Sequence, residues 1–282
     1  MSFYNIKSYA KINISLGVLG KFKSKLHRIE SLFLFLNLHD DIFLKKINKN
    51  NHKVIFYGKF SKGISKNNSI SNLLKLLDNK NKLFGQKYLV KVNKKIPQKS
   101  GMGGGSMNAS SLLRFFINNK KLKLNSKEII NISSKIGSDV LVGMQKKNSI
   151  LYGNGNLNYL NKKIKFYTLL VKPNFGCSTK AIYKEVKFFS KPIFNIHKRI
   201  NLNYRFLLNL KNDLELTAFR KYPFLKKIKI NMEKLDELSF ARMTGSGSTM
   251  VGYFNSKKSA LNGIKILKKK YKNCWCILSK TI

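Results

Sequence analysis

Residues 8–20, SYAKINISLGVLG, alternate between apolar and polar positions. Ala10, Ile12, Ile14, Leu16 and Val18 share one face, and Lys11, Asn13, Ser15 and Gly17 share the other. A period of two predicts a strand with one buried side and one polar side. Further strands are predicted at 32–38, 42–46, 53–57 and 87–92, where β-branched and aromatic residues cluster. The period then changes. Ala109, Leu112, Leu113, Phe116 and Ile117 recur at helical spacing, with Ser106 as the expected N-cap. A second helix is expected over 126–136, ended by Gly137. In the second half the pattern predicts strands at 166–172 and 250–254 and helices at 204–209, 213–221 and 257–270. Strands come first and mixed elements follow, so the order fits α+β better than a doubly wound parallel sheet. No internal repeat or Pro/Gly/Ser linker divides the chain. A change of domain is expected near 150–163, giving an N-terminal domain over 1–155 and a C-terminal domain over 156–282.

Composition changes this picture in one respect. The 282 residues carry 56 Lys+Arg against 12 Asp+Glu, a formal charge of +44, which at face value points to a polyanionic partner. The basic residues are mostly lysine, are spread along the whole chain, and accompany many Asn, Ile and Phe. Drift of an AT-rich genome produces that combination whatever the function. We read the surplus as compositional, with a general attraction for anionic substrates as its by-product and a basic nucleic-acid-binding protein as the alternative. Acids are scarce enough that any acid in a site-like context gains weight. Three cysteines, Cys177, Cys274 and Cys276, are an odd number and argue against a disulfide framework. No signal peptide and no apolar run of membrane-spanning length is evident, so a cytoplasmic protein with no membrane partner is expected.

The strongest chemical signal is IPQKSGMGGGSMNAS at 96–110, between a predicted strand and an amphipathic helix. Its glycines let the backbone approach a ligand closely. The following helix aims unpaired N–H groups and the positive end of its dipole at the same space. Together these make a phosphate cradle. The segment is not a Walker loop, because no Gly-Lys-Ser/Thr follows, and it lacks a dinucleotide fingerprint. A second cluster, Thr244-Gly245-Ser246-Gly247-Ser248-Thr249, reads equally as a hairpin turn. Asp139, just past a helix end, suits either a cap or a general base. Lys11 on the polar side of the first strand would ordinarily face solvent, and His27 alone is not diagnostic.

Taken in order, these segments resemble the GHMP kinases. The resemblance rests on Ala10-Lys11-Ile12-Asn13, on His27 followed by Arg28-Ile29-Glu30-Ser31-Leu32-Phe33, and on Pro97 through Ser110. It continues through Ile136-Gly137-Ser138-Asp139-Val140, Gly153-Asn154-Gly155, Lys211-Asn212-Asp213-Leu214-Glu215 and Ala241-Arg242-Met243-Thr244-Gly245-Ser246-Gly247-Ser248. It spans residues 8 to 254. The resemblance implies the two-lobed GHMP kinase fold, with an N-terminal lobe of a ribosomal-protein type and a ferredoxin-like C-terminal lobe. It also implies transfer of the γ-phosphoryl group of ATP, with Mg2+ carried by ATP and no protein-held metal, to the 2-hydroxyl of a CDP-linked methylerythritol. By the same resemblance Asp139 is the base and Lys11 polarises the hydroxyl. Pro97, Gln98, Lys99, Ser100, Gly101, Met102, Gly103, Gly104, Gly105, Ser106, Met107 and Asn108 hold the ATP phosphates, with Asn68 and Lys94 lining the adenine pocket. Asn13, His27 and Tyr183 hold the CDP end. A monomer or weak homodimer without specific nucleic-acid binding is implied. Sister kinases of homoserine or mevalonate are the alternatives within the family. The chain departs from the family pattern at Ser24-Lys25-Leu26, where an aromatic is lost, at Gln98-Lys99-Ser100, where glycines are usual, and at Met107, where a serine is.

Overall fold

The computed structural model describes residues 2–24, 26–119, 122–195 and 200–282. Lys25, within one of the departures noted above, lies outside the described residues. Two compact units are formed. The first combines the described parts of 1–10, 38–98 and 103–146, and the second those of 11–37, 99–102 and 147–282.

The first elements in chain order are β1 (Tyr4–Lys21), β2 (His27–Ile47), β3 (Lys53–Tyr57), α1 (Ser69–Asn79), β4 (Lys87–Asn93), α2 (Gly104–Asn119) and α3 (Ser126–Ile136). In the first unit the far half of β2 pairs antiparallel with β4, from Asp41 opposite Asn93 to Ile47 opposite Lys87. β3 pairs with β4 in parallel, with α1 on the crossover. α1 buries Ile70, Leu73, Leu74 and Leu77, and α2 buries Leu112, Leu113 and Phe116, against Ile42, Leu44, Val90 and Val92. These helix positions recur at three- and four-residue spacing, which is why one face of each helix meets the sheet.

Three expectations differ from the structure, and one helix was not foreseen. The strands at 32–38 and 42–46 are one strand, because the polar run at 39–41 is accommodated in place. The Asp40 carboxylate accepts the backbone N–H groups of Lys95 and Ile96 and pairs with Lys94. The polar side of β1 is buried as well as the apolar side over residues 10–18, so Lys11 does not face solvent. Ser106 does not cap α2. The helix starts at Gly104, with Met107 N–H donating to the Gly103 carbonyl at 2.8 Å, because Gly103 at φ +69° turns the chain into the helix before the serine. α1 had no counterpart in the sequence reading. It lies among Asn- and Lys-rich turns that hide its short apolar period.

In the second unit the chain continues through β5 (Ser149–Leu151), β6 (Leu157–Tyr159), β7 (Tyr167–Lys172), α4 (Thr179–Lys184), α5 (Tyr204–Asn209), α6 (Leu214–Lys221), α7 (Pro223–Glu233), β8 (Phe240–Met243), β9 (Met250–Phe254), α8 (Lys257–Lys270) and β10 (Trp275–Lys280). The near half of β2 pairs with β5, and β5 with β6. β7 to β10 form a four-stranded sheet of order β10-β7-β9-β8, antiparallel throughout, the 4-1-3-2 order of a ferredoxin-like unit. Leu169, Val171, Met243, Met250 and Phe254 of this sheet pack on Ile228 and Met232 of α7 and on Ala260, Ile264 and Leu267 of α8. The three cysteines are free thiols, with Cys177 buried. Among the described residues no helix is long and apolar enough to cross a membrane.

Candidate functional site

In the first unit three backbone features meet at the start of α2. A β-carbon on Gly105 would lie 3.1 Å from Ser69 Oγ, so the N-terminus of α1 abuts that of α2. The Asn68 side chain caps α1, accepting from the backbone N–H groups of Ile70 and Ser71 at 3.1 and 3.0 Å. A β-carbon on Gly137 would lie 3.0 Å from Ser106 Oγ, which sets the turn carrying the half-buried Asp139 beside the first turn of α2. That turn is closed by Val140 N–H donating to the Gly137 carbonyl at 3.0 Å. Two adjoining helix N-termini reinforce the positive potential that a phosphate seeks. Lys94 is buried under this place. Its Nζ lies 3.3 Å from where a Gly104 β-carbon would be, and its charge is paired with buried Asp40. Asn108 is buried in α2, and its side-chain oxygen has no hydrogen-bond partner among the described residues. Gln98 donates from Nε2 to the carbonyls of Phe60 and Lys62, at 2.9 and 2.8 Å, and Pro97 and Met107 are buried.

In the second unit the two glycine clusters that the sequence showed separately come together. Gly101 is at φ +75°, and a β-carbon there would lie 2.0 Å from the Thr244 carbonyl oxygen. Thr244 Oγ1 donates toward the Gly101 carbonyl at 3.2 Å, and Thr249 N–H to the Ser100 carbonyl at 3.3 Å. The 244–249 segment is indeed the β8–β9 hairpin connection. Lys99 packs its side chain against Gly176. The same hairpin reaches β1, because Asn13 N–H donates to Thr244 Oγ1 at 3.0 Å. Lys11 Nζ donates to Asn13 Oδ1 at 2.8 Å and lies 5.2 Å from the Phe33 ring centroid. Lys11 N–H donates to the Met102 carbonyl at 3.2 Å. His27 stacks obliquely on Tyr183 of α4 with ring centroids 5.0 Å apart. Burial, and then the charge of Lys21, push the His27 pKa down. Its Nε2 is buried and has no hydrogen-bond partner among the described residues.

The structure therefore gathers Asn68, Lys94, residues 103–108 and Asp139 in one unit, and Lys11, Asn13, His27, residues 99–102 and Tyr183 in the other. It also gives a part to residues that the sequence showed only as motif letters. Asn212 Nδ2 donates to the Met243 and Gly245 carbonyls, each at 2.8 Å. Glu215 accepts Met243 N–H at 2.7 Å, and Asp213 accepts Val18 N–H at 2.7 Å. The Asn-Asp-Leu-Glu element thus fastens the hairpin and β1 to α6. Asp40 had only its rarity as an acid to mark it, and Ser31 and Thr244 were visible as motif letters without a role.

Comparison with known proteins gives consistent results. The family model for the GHMP kinases N terminal domain matches residues 68–147, and that for GHMP kinases C terminal matches 195–273. A protein of Pelagibacter ubique named 4-diphosphocytidyl-2-C-methyl-D-erythritol kinase is 53% identical over 282 residues, covering 100% of both chains. One of the same name from Anaplasma marginale is 31% identical, over 98% of this chain and 96% of that one. Among solved structures, a 4-(cytidine 5'-diphospho)-2C-methyl-D-erythritol kinase superposes with a TM-score of 0.78 at 20% identity, over 99% of this chain and 100% of that one. A homoserine kinase of Cytophaga hutchinsonii superposes with a TM-score of 0.65 at 15% identity, over 99% and 94%. At these identities the two structures speak for the fold.

Two stability measurements follow from this geometry. Gly101→Ala places a methyl group on the Thr244 carbonyl at a left-handed φ and lowers the unfolding free energy by about 1–3 kcal/mol; an unchanged urea midpoint would contradict the contact. Asp40→Ala leaves the Lys94 ammonium buried and unpaired, at a cost of about 3–5 kcal/mol. Asp40→Leu combined with Lys94→Met recovers most of that loss.

Proposed function

The chain belongs to the 4-diphosphocytidyl-2-C-methyl-D-erythritol kinases of the GHMP family, and from this premise we propose that it transfers the γ-phosphoryl group of ATP to the 2-hydroxyl of 4-diphosphocytidyl-2-C-methyl-D-erythritol, a step toward isoprenoid precursors. The observation that carries the reading is end-to-end identity of 53% with a kinase of that name. The domain division, an ATP-binding domain over 1–155 and a C-terminal domain over 156–282, is part of the same reading. It is supported by the two family matches, each of which falls inside one of them. The reading puts the enzyme in the cytoplasm.

Phosphoryl transfer asks a protein mainly to position the reactants and to neutralise charge. Backbone N–H groups at the start of α2, beside the capped start of α1, take the phosphate oxygens. Lys94, already neutralised by Asp40, supports the backbone of the cradle. Mg2+ carried on the phosphates would add charge neutralisation when bound, and the Asp139 carboxylate and the Ser106 hydroxyl beside the start of α2 are oxygen groups of the kind this ion accepts. Asp139 takes the proton of the attacking 2-hydroxyl. Lys11 directs an ammonium hydrogen to that hydroxyl's oxygen and favours the alkoxide that develops there. At the cytidine end, Tyr183 offers a ring face and His27 a neutral imidazole whose Nε2 has no partner among the described residues. Asn13 completes this side.

The direct test is ADP release with the CDP-linked alcohol, with homoserine and with mevalonate; turnover of homoserine or mevalonate alone would overturn the substrate assignment. Asp139→Asn and Lys11→Ala each lower kcat roughly 100-fold or more while ATP binding, read by calorimetry, stays near wild type. Full turnover by Asp139→Asn removes the base assignment. A lowered His27 pKa keeps the imidazole neutral to lower pH than usual. The KM for the CDP substrate is thus expected to stay level down to about pH 6.5, the ordinary histidine value, and to rise only below it. A KM that rises above that pH counts against a neutral His27.

A further inference from the structure

We propose that Ser31 is a positioning residue that locks the Asn13 carboxamide in one orientation and thereby aims the Lys11 ammonium. The hydrogen-bond donors around Asn13 run in one direction only. Ser31 Oγ donates its single proton to the Ser15 carbonyl oxygen. A hydroxyl has one donor and two acceptor sites, so toward Asn13 it can only accept. Asn13 Nδ2 donates to it at 2.8 Å. The amide nitrogen is thus held on the β2 side, and the amide oxygen must face the other way. There Lys11 Nζ donates to it at 2.8 Å, and the single Thr244 hydroxyl proton is shared between it at 3.3 Å and the Gly101 carbonyl at 3.2 Å.

A reversed carboxamide would set NH2 against the Lys11 ammonium, donor against donor, and its oxygen against a hydroxyl whose proton is spent on Ser15. Both contacts would be lost in a buried setting, since Lys11, Asn13, Ser15 and Ser31 are all buried. The strand geometry keeps the pieces in register. Ser31 and Phe33 alternate onto the same face of β2. That face meets Asn13 through Ser31 and Lys11 through Phe33, whose ring lies 5.2 Å from the ammonium. Ser15 Oγ in turn accepts Leu32 N–H at 3.1 Å, which pins the two strands beside the lock. One ammonium hydrogen is therefore held by the Asn13 oxygen, and the place of that oxygen is set through Ser31.

The effect on turnover rests on the kinase reading, whereas the lock itself can be observed without turnover. In 15N-labelled protein the Asn13 side-chain amide hydrogens are expected to exchange slowly, and Ser31→Ala is expected to abolish that protection while Ser31→Thr, which keeps the hydroxyl, retains it. In the kinase assay Ser31→Ala lowers kcat roughly 10- to 100-fold with calorimetric ATP affinity unchanged, and Ser31→Thr restores it. In an Asn13→Ala background Ser31→Ala produces no further loss, as coupled neighbours require. If Ser31→Ala does not fold, Ser31→Cys, similar in size and a poor acceptor, takes its place with the same expectations. Unchanged amide exchange in Ser31→Ala, or full loss of kcat on top of Asn13→Ala, overturns the proposal. Wild-type protein that is inactive on the CDP substrate yet shows the protected amide would instead remove the kinase reading and leave the lock standing.

Discussion

A charged ammonium cannot be left unpartnered inside a protein, and the constraint this places on Lys11 organises the second unit. β1 is buried on both sides where Lys11 emerges, so its charge must be met by aligned acceptors. Within this unit Asn13 faces Lys11, Ser31 faces Asn13, and Thr244 bridges β1 to Gly101. Each contact brings in an element distant in sequence. The β8–β9 hairpin, the leading residues of the glycine-rich loop and the near half of β2 all arrive at β1 for this reason. Asn212, Asp213 and Glu215 then hold the arriving backbone in place.

The first unit solves the opposite electrostatic problem. It prepares a place for negative charge with backbone dipoles, not with a bare lysine. Lys94, buried under the cradle, is paired with Asp40, so the adjoining starts of α1 and α2 supply the field. Dipoles held by folded backbone need no reorganisation when charge moves during reaction, which is why such sites favour transition states. The dispersed lysine surplus contributes a long-range attraction for anions that salt screens over about 8–10 Å. It has no part in this local geometry.

Much of this was legible in the sequence, and the failures share a cause. The alternation at 10–18 located β1 but assigned its polar side to solvent, because a period of two reports two faces and not what covers each of them. The glycine-rich loop announced a phosphate site, yet its required contact, Gly101 against Thr244, links positions 143 residues apart, beyond any local pattern. The strand break expected at 39–41 was a reading of polarity as exposure, and the Asp40–Lys94 pair reverses that reading. α1 was missed though its apolar period is regular, since its length is short and its surroundings are rich in turn-forming residues. Family motifs placed Asp139, His27 and Tyr183 as candidates. Only the folded chain showed Asp139 in a turn against Ser106, and His27 beside Tyr183.

The central claim is that a phosphoryl group moves from ATP to one particular hydroxyl. Phosphorus and carbon NMR of the product made from ATP and 4-diphosphocytidyl-2-C-methyl-D-erythritol tests it most directly. The account predicts one new phosphomonoester signal, coupled to carbon 2 of the methylerythritol, with one ADP formed per product. Release of inorganic phosphate without that signal, or a phosphate on another oxygen, would contradict it.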